Sequence, residues 1–307
     1  MELNAALVGP PEQPARIYHG GLSFAVCTNR PENLSNAVSV ACALGPDDEL
    51  LVVVDLPADG VPTAVRDTLR LRGVRLVENS ANRGLSYSRN RALAECANNT
   101  VVYVDDDVTL VPETVEAIRL GRAEGSGIVG VLLVPRFSTS RRRWWLSGGQ
   151  YHYLGVHHGS HRAKTWGACM AVDARLANEH GIRFREELGR RGLALQSGDD
   201  TSFLVELRHV GAHESVLTGV SAVHHIDAYR ERLNYLLRRA WWQGRSEYRR
   251  RSLGMALLKE WRRNVGTGPA QAPLVRRYPL AALYLGAVIV GGVTEIGYRL
   301  LAGRSAG

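Results

Sequence analysis

Residues 101–108 read Val-Val-Tyr-Val-Asp-Asp-Asp-Val, and the interpretation of the whole chain rests on them. Four strand-favouring residues lead directly into three carboxylates, and a helix is predicted to begin near Pro112. We therefore expect the acids at the C-terminal tip of a buried strand, the edge where open α/β sheets bind ligands. Adjacent carboxylates repel one another unless donors or a cation such as Mg²⁺ or Mn²⁺ balance them. A solvated acidic turn that caps a helix is the alternative.

Strands and helices are predicted to alternate before this stretch. Apolar runs at 22–27, 50–54 and 74–77 are typical of short buried strands, and helical spacing of apolar residues predicts helices at 34–44, 61–72 and 85–97. Connections of this length allow crossovers, so the order predicts a parallel, doubly wound α/β sheet. The polar residues that follow each strand would then line one crevice.

Several of these strand-end residues suit a nucleotide. Asp55 can accept hydrogen bonds from a base or ribose, Arg89 can reach phosphate, and Gly84 lets the backbone approach a ligand closely. The predicted crevice comprises Thr28, Arg30, Asp55, Asn82, Gly84, Arg89, Asp105, Asp106 and Asp107. Each residue alone is more commonly a cap or turn residue, so the prediction depends on their convergence.

Composition indicates a globular protein with a substantial core, since 45% of its 307 residues are hydrophobic. The cysteines are scattered without a metal-binding or disulfide pattern, which favours a reducing compartment. Residues 1–20 contain prolines and no apolar run, so we expect a flexible leader without an export signal and a cytoplasmic protein.

The net charge of +8 is concentrated in a basic, aromatic segment at 238–263. Such a segment binds nucleic acid or an anionic membrane surface. Residues 279–294 carry no charge, which favours a membrane-associated tail and argues against nucleic acid. Without an export signal, such a tail predicts a protein at the cytoplasmic face of the cell membrane. We therefore expect a catalytic domain at 21–228 and a membrane-associating helical extension at 229–307.

Three segments leave alternatives open. Leu233, Leu237, Trp241, Gly244 and Tyr248 form a helical stripe flanked by arginines, typical of an interfacial helix or of a helix packed on the domain with its arginines in water. Residues 279–301 could span a thin bilayer or lie at its interface. Residues 141–161 form a basic, aromatic loop that either closes over a ligand or is simply solvated.

The motifs together resemble those of the family 2 glycosyltransferases. Residues 82–91, Asn-Arg-Gly-Leu-Ser-Tyr-Ser-Arg-Asn-Arg, and the acidic stretch at 101–107 are similar to the nucleotide-sugar-binding half of that family. Residues 166–172 (Trp-Gly-Ala-Cys-Met-Ala-Val), 184–189 (Phe-Arg-Glu-Glu-Leu-Gly), 198–201 (Gly-Asp-Asp-Thr) and 223–225 (Val-His-His) resemble its acceptor-side motifs in order and spacing. The segment 239–246 also resembles enzymes that extend glycans on polyprenyl or dolichyl phosphate, including glucuronosyl-type transferases of archaeal glycosylation.

The resemblance implies a GT-A fold, a Rossmann-like and mostly parallel sheet flanked by helices. It also implies an inverting, Mg²⁺- or Mn²⁺-dependent enzyme that moves a sugar from a nucleotide-diphosphate donor to a saccharide or polyprenyl-phosphate-linked acceptor. Asp105 and Asp107 fall at the family's DxD motif, which orients the ribose and holds the metal, and His224 or His225 would lie near that metal. Asp199 and Asp200 fall where the family has Glu-Asp, and the second acid is its catalytic base.

The chemistry makes these residue types reasonable. Displacement at an anomeric carbon needs a base on the attacking hydroxyl and charge stabilisation on the departing diphosphate, at opposite sides of the sugar. Asp199 and Asp200 precede a predicted helix at 201–210, whose N-terminal dipole favours an ionised base, although an ordinary N-cap has the same pattern. A non-catalytic nucleotide-sugar-binding relative and a basic nucleic-acid-binding protein are the rival interpretations.

Overall fold

A computed structural model describes residues 20–33, 40–41, 43–56, 61–139, 143, 145–146, 150–157, 163–250, 258 and 274–304. Four predicted segments therefore lie wholly or partly outside the described residues. They are the leader at 1–20, the first helix at 34–44, the loop at 141–161 and the C-terminal part of the basic segment at 238–263.

The described strands form one sheet. They are β1 (Ser23–Thr28), β2 (Glu49–Val54), β3 (Arg75–Glu78), β4 (Thr100–Asp105), β5 (Val108–Thr109), β6 (Ile128–Phe137), β7 (Cys169–Asp173) and β8 (Glu214–Ile226). Their order is β3-β2-β1-β4-β7-β6-β8-β5. β1 to β4 are parallel, which confirms the predicted doubly wound unit. β7 runs antiparallel between β4 and β6, so the whole sheet is mixed.

Helices cover both faces of this sheet. They are α1 (Thr63–Leu71), α2 (Leu85–Glu95), α3 (Pro112–Ala123), α4 (Tyr151–Leu154), α5 (Ala174–Glu179), α6 (Asp199–His209), α7 (Leu233–Arg250) and α8 (Leu274–Arg304), with 3₁₀ turns at Pro31–Asn33 and Glu186–Leu188. Alternate residues of β4 point to opposite faces, so Val102 and Tyr103 enter two different core clusters. Pro112 begins α3, as predicted, because its fixed φ suits the first helical position.

The pairing of β5 with β8 brings together motifs that are far apart in the chain. β4 ends at Asp105, and β5 begins two residues after Asp106. Val108 then pairs with His224 of β8, and the backbone N–H of His225 donates to the carbonyl of Asp107 at 2.8 Å. The histidine motif therefore lies beside the three acids.

The helices α7 and α8 pack against each other through glycines. A Cβ placed on Gly244 would lie 1.9 Å from the carbonyl oxygen of Val288, and one on Gly291 would lie 1.9 Å from that of Trp241. Val288 belongs to a third core cluster that also contains Tyr153 of α4. The predicted stripe on α7 thus packs against a second helix, a partner that neither sequence interpretation included. The predicted boundary at residue 228 stays a prediction.

An ion-pair cluster fixes the two helices in register. Glu295 of α8 is 4% exposed and accepts hydrogen bonds from Arg245 at 2.9 Å and Arg249 at 2.7 Å. Arg299, one turn further along α8, approaches the same carboxylate at 3.7 Å. Arg245 and Arg249, which one interpretation of the sequence placed in water, therefore pair with a buried acid. The helices α7 and α8 are thus held together by charge as well as by close packing.

Replacing Gly291 by alanine should loosen this helix pair. The new methyl group would overlap the backbone of Trp241, and overpacking of this kind typically costs about 1–3 kcal/mol. The matched control is Gly286→Ala in the same helix, where a Cβ meets no atom within 4 Å. We expect Gly286→Ala to be neutral or to stabilise the helix by about 0.5–1 kcal/mol. Thermal unfolding of the purified variants measures both changes, and equal melting temperatures would contradict the close contact.

Candidate active site

Three carboxylates follow β4 in an acidic turn made of Asp105, Asp106 and Asp107. Each of them lies against one arginine. The pairs are Asp105 with Arg89 at 2.9 Å, Asp106 with Arg30 at 3.7 Å and Asp107 with Arg230 at 2.7 Å. Each carboxylate thus has an arginine that balances its charge, and the three arginines come from different parts of the chain.

Asp106 is the innermost acid of the turn. It is 8% exposed, and the Thr28 hydroxyl donates to its Oδ2 at 2.6 Å. Burial and the neighbouring charge of Asp107 raise the pKa of Asp106 to about 6. This residue therefore fastens the turn to the end of β1.

Asp107 has the opposite electrostatic environment. Arg230 donates to its Oδ2 at 2.7 Å, and His224 Nε2 lies 3.1 Å from its Oδ1. Although burial opposes it, the contacts with His224 and Arg230 hold the pKa of Asp107 well below its usual range. His225 turns away and lies 2.8 Å from the hydroxyl of Thr109. The register of β8 therefore directs His224, and not His225, at Asp107.

Asp107 and His224 have the spacing of neighbouring ligands of one metal ion. Ligands about 2.1 Å from an octahedral cation lie about 3.0 Å apart, close to the observed separation of Oδ1 and Nε2. His224 Nδ1 lies 3.3 Å from the carbonyl oxygen of Gly155, so a metal bound at Nε2 would leave the imidazole proton on Nδ1 with an acceptor at hand. In the part of the chain that is described, no cluster of three or more His, Cys, Asp or Glu forms a complete protein cage. The two residues fit Mg²⁺ or Mn²⁺, which take few protein ligands and bind phosphate oxygens.

Arg89 joins the acidic turn to the second acid pair. Its side chain is 4% exposed and donates to Asp105, to Asp199 and to the carbonyl of Gly167, at 2.8 to 2.9 Å. A side chain at Gly167 would not fit, because its Cβ would lie 2.8 Å from the Cβ of Asp200. The guanidinium predicted to reach phosphate is thus engaged by carboxylates, and it fixes the distance between the two acid groups.

Asp199 and Asp200 begin α6 in different environments. Asp199 is held by Arg89, and burial raises its pKa although Arg89 opposes the shift. Asp200 accepts the backbone N–H of Gly167 at 3.0 Å and that of Thr201 at 2.6 Å. Although burial opposes it, Lys164, Arg89 and these amides lower the pKa of Asp200. Asp200 is therefore the more readily ionised carboxylate of this pair, and Asp199 is held by Arg89.

Two adjoining cavities cover these residues. The nucleoside-side cavity, which is named for the nucleotide that the sequence predicts there, is lined by Thr28, Arg30, Asp55, Asn82, Ser88, Asp106, Tyr229 and Tyr235, among others. The base-side cavity, which is named for the predicted catalytic base Asp200 and not for a nucleobase, is lined by Lys164, Trp166, Asp199, Asp200, His224, Arg230 and Arg239, among others. Leu85, Asp105, Asp107 and Arg190 line both. The described residues thus form one cleft with the acidic turn at its middle and Asp200 at one end.

The remaining predicted residues shape the nucleoside-side cavity. Asp55 accepts the backbone N–H groups of Arg83 and Gly84, each at 2.7 Å, and so orders the loop before α2. Gly84 supplies that amide but does not itself line the cavity. Asn82 Oδ1 is buried and has no hydrogen-bond partner among the described residues, so it is a free acceptor for a ligand.

Sequence reasoning missed three arginines of the cleft, Arg190, Arg230 and Arg239. Arg190 follows the motif at 184–189, and Arg230 lies in the turn after β8. Arg239 was placed in the basic segment at 238–263, among the arginines that flank the helical stripe, without a role in the cleft. Arg190 and Arg230 belong to no periodic pattern, so only their proximity to the motif at 184–189 and to His224 could have indicated them.

The sequence also matches a known family. The profile of Glycosyl transferase family 2 matches residues 24–177, just over half of the chain. A curated relative, the glucosyl-dolichyl phosphate glucuronosyltransferase of Haloferax volcanii, is 25% identical over 239 residues, which cover 74% of this chain and 76% of the relative.

Solved structures share the fold. The mannosyltransferase PcManGT from Pyrobaculum calidifontis, in complex with GDP-Man and Mn²⁺, has a TM-score of 0.56 and 21% identity, covering 98% of this chain and 80% of that one. Residues 1–349 of S. aureus TarS in complex with UDP-GlcNAc give a TM-score of 0.52 and 16% identity, covering 88% of this chain and 81% of that one. At these identities the likeness shows the fold alone, and it confirms the predicted GT-A architecture with an apolar C-terminal helix.

Proposed function

Since the chain belongs to glycosyl transferase family 2, as its ordered motifs predicted, we propose that it is a metal-dependent, inverting transferase acting on a lipid-linked saccharide. The observation that carries the proposal is the division of one cleft between two acid groups. The acidic turn lies where the two cavities meet, and Asp200 lies in the base-side cavity. Sugar transfer needs this separation, because the proton acceptor and the departing diphosphate act at opposite sides of the sugar.

The nucleoside-side cavity is the proposed donor site. Asn82 offers a buried acceptor to a base or ribose, and Thr28, Arg30 and Asp55 line the same wall. The diphosphate would then reach Asp105 and Asp107 at the junction. Two proteins of the same fold support this assignment, since PcManGT was solved with GDP-Man and TarS with UDP-GlcNAc.

Asp107 and His224 are the residues that would hold the metal, with Asp105 beside them at the junction. When bound, Mg²⁺ or Mn²⁺ supplies positive charge to the oxygens of the departing diphosphate. Arg230 lies on the second oxygen of Asp107 and contributes further positive charge at this end of the cleft. The PcManGT complex, which contains Mn²⁺, supports a divalent cation as the cofactor.

Asp200 is the proposed catalytic base. Its pKa is lowered, it lines the base-side cavity and it is oriented by two backbone amides. Asp199 is bound to Arg89, so it is less suited to act as a nucleophile or base. With one base and no second free carboxylate in the pair, a single displacement by the acceptor hydroxyl is favoured, and a single displacement inverts the anomeric configuration.

The helix α8 supports a lipid-linked acceptor at the cytoplasmic face of a membrane. Residues Pro279–Leu301 are long and apolar enough to cross a bilayer by length and composition. One side of the helix packs on α7, whereas Val290 and Val293 on the other side are 58% and 55% exposed. The Haloferax relative is named for a dolichyl phosphate substrate, which agrees with an apolar surface next to the cleft.

An interfacial position suits α8 better than a spanning one. Glu295 lies within the apolar segment and is paired with Arg245 and Arg249 of α7. Moving α8 into a bilayer would break these pairs and the Gly291 contact, at a cost typical of charged groups in lipid. We therefore propose that α8 stays on α7 and presents its exposed valines to the membrane surface.

Replacing Asp200 by asparagine should separate catalysis from binding. The carboxamide oxygen of the variant can still accept a backbone N–H, so we expect normal folding and donor affinity, whereas loss of the base should reduce transfer by at least about a hundredfold. Asp199→Asn is the matched control. It should reduce transfer less and lower the melting temperature more, because Arg89 loses a buried partner. Transfer assays with a confirmed donor and acceptor measure the rates of both variants. Near-normal transfer by Asp200→Asn would show that Asp200 is not the base.

The membrane surface is tested by placing charge on the exposed side of α8. We expect the double variant Val290→Asp, Val293→Asp to lose binding to anionic vesicles, since both side chains are exposed and neither packs on α7. Leu71→Asp on α1 is the control, because it replaces an apolar residue that is 89% exposed elsewhere. Vesicle flotation measures binding. If the unaltered protein does not float, or if the double variant floats equally well, α8 is not the membrane surface.

A further inference from the structure

Arg239 is a buried arginine that lines the cleft and forms no ion pair with a carboxylate of the described residues. It is 8% exposed and donates through one terminal nitrogen to the carbonyl of Leu195 at 2.7 Å. Its Nε has no hydrogen-bond partner among the described residues. Arg245 and Arg249, further along the same helix, are by contrast both paired with Glu295. The charge of Arg239 is therefore not compensated in the way that its neighbours are.

More positive charge surrounds Arg239. Burial, together with the charges of Arg190 and Arg230, lowers the pKa of Arg239 to about 10, although Tyr235 and Asp200 oppose the shift. Although burial opposes the shift, Arg230, Arg190 and Arg239 lower the pKa of the Tyr235 hydroxyl. Both shifts indicate a region of unbalanced positive potential between the two cavities.

Arg190 lies in the same region, and its side chain is accessible from both cavities. Its side chain is half-buried and lines both cavities, and it forms no ion pair within 4 Å among the described residues, although its charge also acts on Asp107 and Asp199. Arg230, the third cation here, is already engaged by Asp107. Arg190 and Arg239 thus remain as two guanidinium groups facing one space. Buried charge of one sign is costly unless an opposite charge is supplied, so the site is built for an anion.

We propose that Arg190 and Arg239 together bind a phosphate group of a substrate in the base-side cavity. Guanidinium groups present paired N–H donors that match phosphate oxygens, and Arg239 keeps its second terminal nitrogen and its Nε for that purpose. The inference rests on the proposed function only in naming the source of the phosphate. That source is either the diphosphate of the donor or the phosphate that links the acceptor saccharide to its lipid.

The positions of Arg190 and Arg239 are compatible with either source of the phosphate. Arg190 lies where the cavities join, next to the acidic turn that would receive the donor diphosphate. Arg239 lies on α7, the helix against which the apolar helix α8 packs, and it lines the base-side cavity. The phosphate of a lipid-linked acceptor is therefore the second source.

The test is calorimetric titration of the full chain with inorganic pyrophosphate in the absence of divalent metal. We expect Arg239→Gln and Arg190→Gln each to weaken pyrophosphate binding by about tenfold or more, the effect of losing a charged hydrogen-bonding group. Arg238→Gln is the matched control, because Arg238 precedes Arg239 but is exposed and does not line the cleft. Its affinity should stay within about twofold of the unaltered protein. If Arg239→Gln does not fold, Arg190→Gln, which removes a half-buried side chain without a described partner, carries the test.

Two further titrations identify the source of the phosphate. Weaker binding of UDP or GDP with unchanged binding of farnesyl phosphate would assign the arginines to the donor diphosphate. Weaker binding of farnesyl phosphate would assign them to the lipid-linked acceptor. Affinities for all of these probes that match those of Arg238→Gln, or no measurable binding to the unaltered protein, would overturn the proposal. Because pyrophosphate binding needs no sugar transfer, an arginine-dependent affinity in a protein without transferase activity would contradict the proposed function and leave the phosphate site intact.

Discussion

Mutual repulsion among Asp105, Asp106 and Asp107 is the constraint on which the rest of the structure depends. Three carboxylates follow one strand without a break, and Asp106 is almost completely buried. Such a turn is stable only if positive charge reaches each carboxylate. The chain supplies it from three directions. Arg30 comes from the loop after β1, Arg89 from α2 and Arg230 from the turn after β8, so the acidic turn holds three distant segments together.

The same ion pairs also fix the positions of the acids in the cleft. Arg89 fixes Asp105 relative to Asp199, and through Gly167 and α6 it sets the position of Asp200. The distance between the two ends of the cleft is thus built into the free protein. Preorganised charge of this kind is the main means by which enzymes stabilise developing charge, because no rearrangement is needed during the reaction. A divalent metal at Asp107 and His224 would join a network whose geometry already exists.

Much of the fold could be predicted from local patterns. The apolar strands β1 to β4 and the helices α2, α3 and α6 were predicted to within a few residues, because their periodicity or their Pro and polar boundaries are local signals. Asp107 and Asp200 were proposed for the same reason, since each adjoins an element whose end could be located. The ordered motifs then predicted the family and the GT-A fold.

What could not be predicted depends on pairing between distant segments. Only the register of β5 against β8 decides that His224, and not His225, faces Asp107. The stripe on α7 predicted a buried face but not its partner, because an amphipathic pattern does not identify what covers it. Arg230 and Arg239 sit among many arginines of similar sequence context, and only the fold shows that Arg230 pairs with Asp107 and that Arg239 lines the cleft.

The most direct test of the account is a hydrolysis assay with a panel of UDP-, GDP- and dTDP-sugars, run with Mn²⁺ and after chelation, on the unaltered protein and on Asp107→Ala. The account predicts that at least one donor is hydrolysed, that chelation abolishes the reaction, that added Mn²⁺ restores it, and that folded Asp107→Ala lacks it at every metal concentration. Hydrolysis that persists after chelation, or that survives in Asp107→Ala, would contradict a metal-dependent transferase organised around the acidic turn.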